Sequence, residues 1–481
     1  MLFNSAEFCL LFFPLVTALY FVLPHRYRWA LLLGASCWFY MAFVPVYILI
    51  LAFTILVDYA AGILIEDSTG RKRRLWLVAS IVANVGVLAF FKYYAFLNEN
   101  LGALVRSFGL PYDVPDLGIL LPIGLSFHTF QSLSYTIEVY RGHQKAERRP
   151  GLFALYVMFY PQLVAGPIER PANLLRQLDI PMSWDTDRVI RGLKQMLWGF
   201  FKKLVIADRC GLIVDQVYAH PGQHDGPALL LATYLFAFQI YCDFSGYGDI
   251  ALGAARVMGF DLMVNFRRPY ASTSVSAFWG RWHISLSSWF RDYLYIPLGG
   301  NRVVKWRWYM NLLLVFLVSG LWHGANWTYV AWGGLHGAYL VLALVFAGLV
   351  ARAEALTGLD RSPRLRSSLA LFVTFHLVVL AWVFFRASSI EVAGKVLHRL
   401  VSTPWSVQGL FELRSAINPA HFDLTLVLVP VFLLLDPLFD AVVKDERRLQ
   451  GPAAYMGFAA LLVAIVAFGH FGSTSFIYFQ F

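Results

Sequence analysis

Charge is what this chain has least of. Of its 481 residues 14% are Asp, Glu, Lys or Arg, while 59% are hydrophobic and 17% aromatic. A soluble domain carries about 25% charged residues, so a soluble globular protein is excluded. Cysteine is scarce as well. Cys9, Cys37, Cys210 and Cys242 form no C-x-x-C pair and sit in or beside apolar runs, which argues against a disulfide framework or a metal site and for buried, inert thiols. There is no G-x-S-x-G elbow, no P-loop and no H-E-x-x-H, and a serine-nucleophile hydrolase and an ATP-driven pump both lose ground. Internal repeats and low-complexity tracts are missing too.

What is present is a series of apolar windows of 17 residues or more, about the length that crosses a bilayer as a helix. They are continuous rather than alternating, which excludes the closed barrel, the other spanning solution. The expected class is an all-α polytopic membrane protein. The net charge of +10 fits the gathering of Lys and Arg in cytoplasmic loops better than a nucleic-acid surface, since no soluble basic module exists to present one.

Spans are expected at about 5–23, 29–43, 46–66 and 75–97. The first is a retained span rather than a cleaved signal peptide, because no basic residue precedes Arg26. The loops His25–Arg28 and Arg71–Arg74 are two spans apart and share a face, cytoplasmic by their charge, which leaves the N-terminus periplasmic. Residues 98–116 read as an external loop and 117–140 as a returning segment ending at Arg141, Lys145, Arg148 and Arg149. Tyr160–Pro167 breaks an apolar run with two prolines and a glycine, either as a cavity wall or re-entrant turn or as an interfacial loop. Further spans are expected at about 367–386, 424–442 and 453–469, with basic clusters at Arg361–Arg366 and Lys444–Arg448 and an external loop at 387–423. The chain reads as one membrane domain, 1–481, with a motif-rich core at about 117–345 and C-terminal helices at about 367–470.

The stretch 280–337 concentrates histidines, arginines and aromatic rings in these apolar surroundings. Ionisable groups are costly there and mark function by default. Read as a helix, 281–293 puts Trp282, Leu286, Trp289, Phe290 and Tyr293 on one apolar face. It is either an amphipathic anchor at the interface or one wall of a site in which Arg281 and Arg291 hold a phosphate. The run Tyr309–Gly320 has about a dozen residues, too short to cross comfortably, and it delivers His323 into the membrane layer. A lone buried histidine is more often a core residue, but Gly324, Asn326 and His336 lie close by, and histidine suits proton transfer near neutral pH. Asp243 and Asp249 occur where an apolar run turns small and acidic. They read equally as groups that bind a cation or orient a histidine, as helix caps, or as partners of a nearby arginine.

Several of these strings form a recognisable set. Arg281-Trp282-His283-Ile284-Ser285-Leu286-Ser287, Arg291-Asp292-Tyr293-Leu294-Tyr295, Leu298-Gly299-Gly300-Asn301-Arg302 and Gly320-Leu321-Trp322-His323-Gly324-Ala325 resemble the core of the membrane-bound O-acyltransferases. The likeness is greatest to the bacterial branch that handles alginate O-acetylation and teichoic-acid D-alanylation. Leu121–Phe127, Ala165-Gly166-Pro167, Asp243–Tyr247 and the terminal Phe476–Phe481 extend it nearly end to end. The resemblance implies a ring of about 11 or more transmembrane and re-entrant helices around a central funnel. It also implies His323 as the catalytic histidine, His283 as an assisting one, and Arg281, Arg291, Asn326 and Asp243 at the substrate or donor. It further implies an acetyl-CoA or carrier-protein thioester donor, a periplasmic esterase-like acetyltransferase partner, a polysaccharide acceptor and a place among inner-membrane lipids. D-alanyl or peptidoglycan acyl transfer by the same fold is one alternative, and a non-enzymatic export or transport subunit is the competing class, since buried histidines and broken helices also serve proton-coupled transport. A lipid or protein acyltransferase of the same superfamily is a third.

Overall fold

The structure, a computed structural model, describes residues 1–444, 451–471 and 476–477, and among them it is helical with no strand. The first helices are α1 (Phe13–Val22), α2 (His25–Met41), α3 (Ile48–Glu66), α4 (Gly70–Leu88), α5 (Tyr94–Ser107), α6 (Leu125–Arg141), α7 (Pro150–Met158), α8 (Tyr160–Leu163), α9 (Pro171–Leu178) and α10 (Thr186–Phe200). The middle holds α11 (Asp208–Ala219), α12 (Gly226–Met258), α13 (Val275–Trp279), α14 (Ile284–Phe290), α15 (Lys305–His323) and α16 (Trp327–Val345). The rest are α17 (Ala347–Thr357), α18 (Pro363–Arg386), α19 (Ile390–Ser402), α20 (Gln408–Ile417), α21 (Pro419–Lys444) and α22 (Pro452–Phe468). By length and composition, 6 helices among the described residues can cross a membrane, and Phe8–Val22 and Ala454–Phe468 are shorter apolar helices. The protein is a multi-pass helical membrane protein.

The chain divides into two compact units, one of Met1–Met196 with Tyr247–Met263 and the other of Leu197–Gly246 with Val264–Phe481. In the first unit, Phe3, Phe8, Phe12, Phe39 and Tyr160 form a buried aromatic cluster. The helices α3, α4 and α6 meet along a polar seam. Ser80 Oγ donates to Asp58 Oδ1 at 2.7 Å, Asn84 Nδ2 donates to the same oxygen at 2.8 Å, and Thr54 Oγ1 bonds His128 Nε2 at 2.5 Å. Such bonds join helices where lipid supplies no hydrophobic drive. The basic loops lie together, as their charge predicts. Arg73 reaches the carbonyls of Val139 and Tyr140, and Arg148 pairs with Glu66 and Asp67.

Four expectations change. Helix α5 runs to Ser107 because nothing breaks it before Gly109 and Pro111, so the expected loop at 98–116 shrinks to its second half and the return begins at Leu125. There Gly124 stands at φ +77°, and a Cβ would lie 2.7 Å from the Leu163 carbonyl. The run at 309–320 belongs to the 19-residue α15, since Asn311 donates to the carbonyls of Leu298 and Gly300 and Lys305 and Arg307 lie at the helix start. Residues 387–423 are not a loop but carry α19, capped by Ser389 at Val392 N, and α20. The expected helix 281–293 is broken at His283, whose backbone stands at φ 45°. The turn at Tyr160–Pro167 does interrupt the chain as expected, and its residues are buried. Arg447, Arg448 and the terminal Tyr478–Phe481 lie outside the described residues.

Candidate active site

The second unit brings the two chosen histidines together. Their ring centroids stand 6.5 Å apart at 66°, with His283 0% and His323 3% exposed.

His323 is the last residue of α15, and α16 begins after a three-residue turn. The two helices touch backbone to backbone. A Cβ on Gly320 would collide with the Tyr329 carbonyl, and one on Gly333 with the Phe316 carbonyl. Small residues permit this approach in membrane helices, and the approach sets the His323 ring 4.9 Å from Trp332 and 5.4 Å from Phe385. Asn326 is the N-cap of α16. Its Oδ1 accepts from Thr328 N at 2.9 Å, and its Nδ2 donates to the Ser388 carbonyl at 3.2 Å. Both ends of that amide hold the turn.

His283 sits at the N-cap of α14 in the left-handed region, φ 45° and ψ 54°. This is what breaks the expected helix. L-residues rarely adopt that conformation, at a cost of about 1–2 kcal/mol. Asn265, 3% exposed, offsets it, with its carbonyl accepting from Ile284 N at 3.0 Å and its Oδ1 from Ser285 N at 3.1 Å. The His283 ring then lies 4.7 Å from Phe244 and 6.1 Å from Trp322. The pair is thus caged by rings from α12, α15, α16 and α18.

The other predicted residues serve differently. Arg291 opens a π-helical turn, Arg291–Tyr295, largely exposed and paired with Asp292 at 2.8 Å. It lines a cavity of about 180 Å³ with Ser276, Ser287, Tyr295, Val315 and Ser319. Ser287 is one turn beyond His283, and Ser319 one turn before His323. The cavity wall thus includes a serine one turn along the chain from each histidine, together with the Arg291 side chain. Arg281 is half-buried and donates to the Ala271 carbonyl at 3.2 Å. Asp243 lies inside α12, so it is no helix cap, and its partner is a lysine rather than an arginine. Lys203 Nζ stands 2.5 Å from Asp243 Oδ1 and 2.9 Å from Asp208 Oδ1, all three buried. Ile477 N donates to Asp243 Oδ2 at 2.7 Å. In the first unit, Asp249 accepts from Gln195.

Sequence reasoning missed Asn265 and Lys203. The pair Lys202-Lys203 inside an apolar run was a legible signal. Asn265 gave none, because its contacts are to backbone about 20 residues downstream.

The sequence model of the membrane-bound O-acyltransferase family matches residues 80–373. The chain is 40% identical over 405 residues to a probable alginate O-acetylase of Pseudomonas aeruginosa, covering 84% of this chain and 75% of that protein. It is 38% identical over 437 residues to the probable alginate O-acetylase of Azotobacter vinelandii, covering 90% and 85%. Against a peptidoglycan O-acetyltransferase of Helicobacter pylori the identity is 33% over 435 residues, covering 83% and 80%.

Proposed function

The chain belongs to the membrane-bound O-acyltransferase family, and from that premise we propose that it moves an acetyl group from a cytoplasmic thioester donor toward the hydroxyls of an exported or cell-surface polysaccharide. The observation that carries this reading is the buried pair His283 and His323, caged in aromatic rings.

In this reading His323 accepts the proton of the attacking hydroxyl as the oxygen adds to the thioester carbonyl, and thiolate leaves. A positioned general base contributes about 10²- to 10⁴-fold. His283 sets the orientation of the reacting groups beside it. The ring cage keeps water from the thioester, which would otherwise hydrolyse. Arg291 holds a donor phosphate by charge-assisted bonds, while Arg281, Asn326 and Asp243 keep the walls of the site in register. The donor is acetyl-CoA or a carrier-protein thioester. The acceptor is alginate-like or another exopolysaccharide, and a periplasmic esterase-like acetyltransferase completes the transfer. The protein lies in the bacterial inner membrane with its N-terminus periplasmic, as one functional domain over 1–481 whose helices ring a funnel.

The test is base-labile acetate on purified surface polysaccharide from wild type, a deletion strain and a His323→Ala strain with equal protein in the membrane. Loss in both mutants is the expected result. Acetate that survives His323→Ala sinks the assignment. Unchanged acetate in all three strains, with D-alanine ester lost instead, would move the donor to a D-alanyl thioester.

A further inference from the structure

The helix that supports His323 carries a second pattern. Thr328, Trp332, His336 and Tyr339 stand at i, i+4, i+8 and i+11 on α16, within an arc of about 80°. Thr328 is 1% exposed, Trp332 and His336 are 0% exposed, and Tyr339 is half-buried. Thr328 Oγ1, Trp332 Nε1, His336 Nε2 and the Tyr339 hydroxyl are all buried and have no hydrogen-bond partner among the described residues. Buried polar groups are almost always paired, so four unpaired ones on one stripe require a common explanation.

The local chemistry says what they offer. Trp279 Nε1–H donates to His336 Nδ1 at 3.2 Å. His336 Nδ1 is therefore an acceptor, and the ring proton of the neutral imidazole sits on Nε2. Trp332 Nε1–H is a donor only, while the two hydroxyls both donate and accept. The stripe is thus lined mainly by donors and calls for small acceptors. The rings of Phe278, Trp279, Phe316 and Trp332 surround His336 and supply no acceptor. Water fits, since buried water typically makes two to four bonds to otherwise unsatisfied groups.

The stripe is about 16 Å long at 1.5 Å per residue, roughly half the hydrocarbon core. One end is Thr328, one turn before Trp332, whose ring lies 4.9 Å from that of His323. The other is Tyr339, near the end of α16 that leads on to Arg361, Arg364 and Arg366, the side the charge rule makes cytoplasmic.

We propose that this face of α16 binds a file of ordered water that carries a proton from His323 to the donor side of the membrane. The proposal rests on the acyl-transfer reading. The acceptor oxygen attacks the thioester carbonyl carbon, a C–O bond forms, and the hydroxyl proton passes to His323. The C–S bond breaks with its electron pair on sulfur, and the thiolate takes a proton to leave as thiol. The proton is released at the acceptor and consumed at the donor, so a path between them balances the reaction with no other reactant. Trp332 and His336 are positioning residues that fix the water oxygens, and the Tyr339 hydroxyl passes the proton on.

The first test leaves the chain unmutated. In hydroxyl-radical footprinting of the full protein in lipid nanodiscs, radiolysis of bound water labels the side chains beside it. Trp332 and Tyr339 are expected to label at least roughly threefold faster than Trp382, which is 1% exposed and donates its Nε1–H to Tyr270 at 3.1 Å. Equal rates overturn the proposal. The second test reads thiol released from acetyl-CoA. His336→Asn keeps an acceptor for Trp279 but removes the Nε2–H, and Tyr339→Phe removes only a hydroxyl. Both are expected to be roughly tenfold slower, with an altered solvent deuterium isotope effect and an unchanged thermal midpoint. Wild-type rates and isotope effects in both variants refute the proton path. Should His336→Asn lose stability, the near-isosteric Tyr339→Phe and the labelling decide. Footprinting does not depend on the donor, so wild-type thiol release that persists in His323→Ala would overturn the acyl-transfer reading, and the proton role with it, while leaving the labelling result to stand or fall alone.

Discussion

At the scale of single residues, the site depends on one strained backbone and the amide that holds it. His283 at φ 45° persists because Asn265 takes the next two N–H groups. Asn265→Ala leaves Ser285 N, in a residue 0% exposed, without that acceptor, which costs about 1–3 kcal/mol. It also frees His283 to relax. We expect acyl transfer to fall by about 10²-fold, the effect of a misplacement near 1 Å, with protein still in the membrane. Transfer at the wild-type rate would show that His283 needs no such support. The histidines themselves were legible in the sequence, because an imidazole in an apolar run is conspicuous. The role of Asp243 was not. A carboxylate in a run of small residues reads as a cap or an arginine partner until the fold brings Lys203 and Asp208 to it.

Between elements, the decisive contact is α15 against α16. Gly320→Ala or Gly333→Ala places a methyl against a carbonyl of the facing helix. Overpacking of this kind costs about 1–3 kcal/mol and moves His323 away from Trp332. A lower thermal midpoint together with lower activity is expected, and a variant with both unchanged contradicts the backbone contact. The same scale governs the buried ion cluster in the second unit. Lys203→Ala removes the cation between Asp208 and Asp243, a loss of about 3–5 kcal/mol for a broken buried pair. It should show as poor membrane accumulation or a lower midpoint, partly recovered when Asp243→Asn is added. Apolar length located α3 and α18 from sequence to within a few residues. The period failed at 281–293, where the spacing of apolar residues is helical but a tertiary hydrogen bond imposes a turn. The loop expected at 98–116 rests on Pro111, Asp113, Pro115 and Asp116, which lie in its second half and do not stop the helix that runs to Ser107.

For the whole molecule, composition alone placed the chain in a bilayer, and the charge asymmetry of its loops put Arg71–Arg74 on one face with Arg141–Arg149; Arg73 reaches the carbonyls of Val139 and Tyr140, next to the second cluster. The same loops give a pH dependence. The Arg148 guanidinium bonded to Asp67, and that of Arg149 bonded to Asp179, hold these carboxyls below their usual range. Being depressed in the folded state, they contribute stability above the unfolded value of about 4 and lose it as pH falls through the lower folded values. The thermal midpoint in detergent should be level from about pH 8 to about pH 5 on their account and drop below about pH 4. The double variant Arg148→Ala, Arg149→Ala should flatten that drop, and an equally steep drop would assign it to other groups.

The central claim is that His323 is the reaction histidine of an acyltransferase, and the most direct test is the chemical step itself. Purified full-length protein in nanodiscs would be given acetyl-CoA, the exported polysaccharide and the periplasmic acetyltransferase proposed above as a partner, and the release of thiol and the gain of ester acetate followed together. The account predicts that both appear in equal amounts with the wild-type chain and that both fall by at least about 10²-fold in His323→Ala at an unchanged thermal midpoint. Thiol release and ester formation that continue at the wild-type rate in that variant would contradict it.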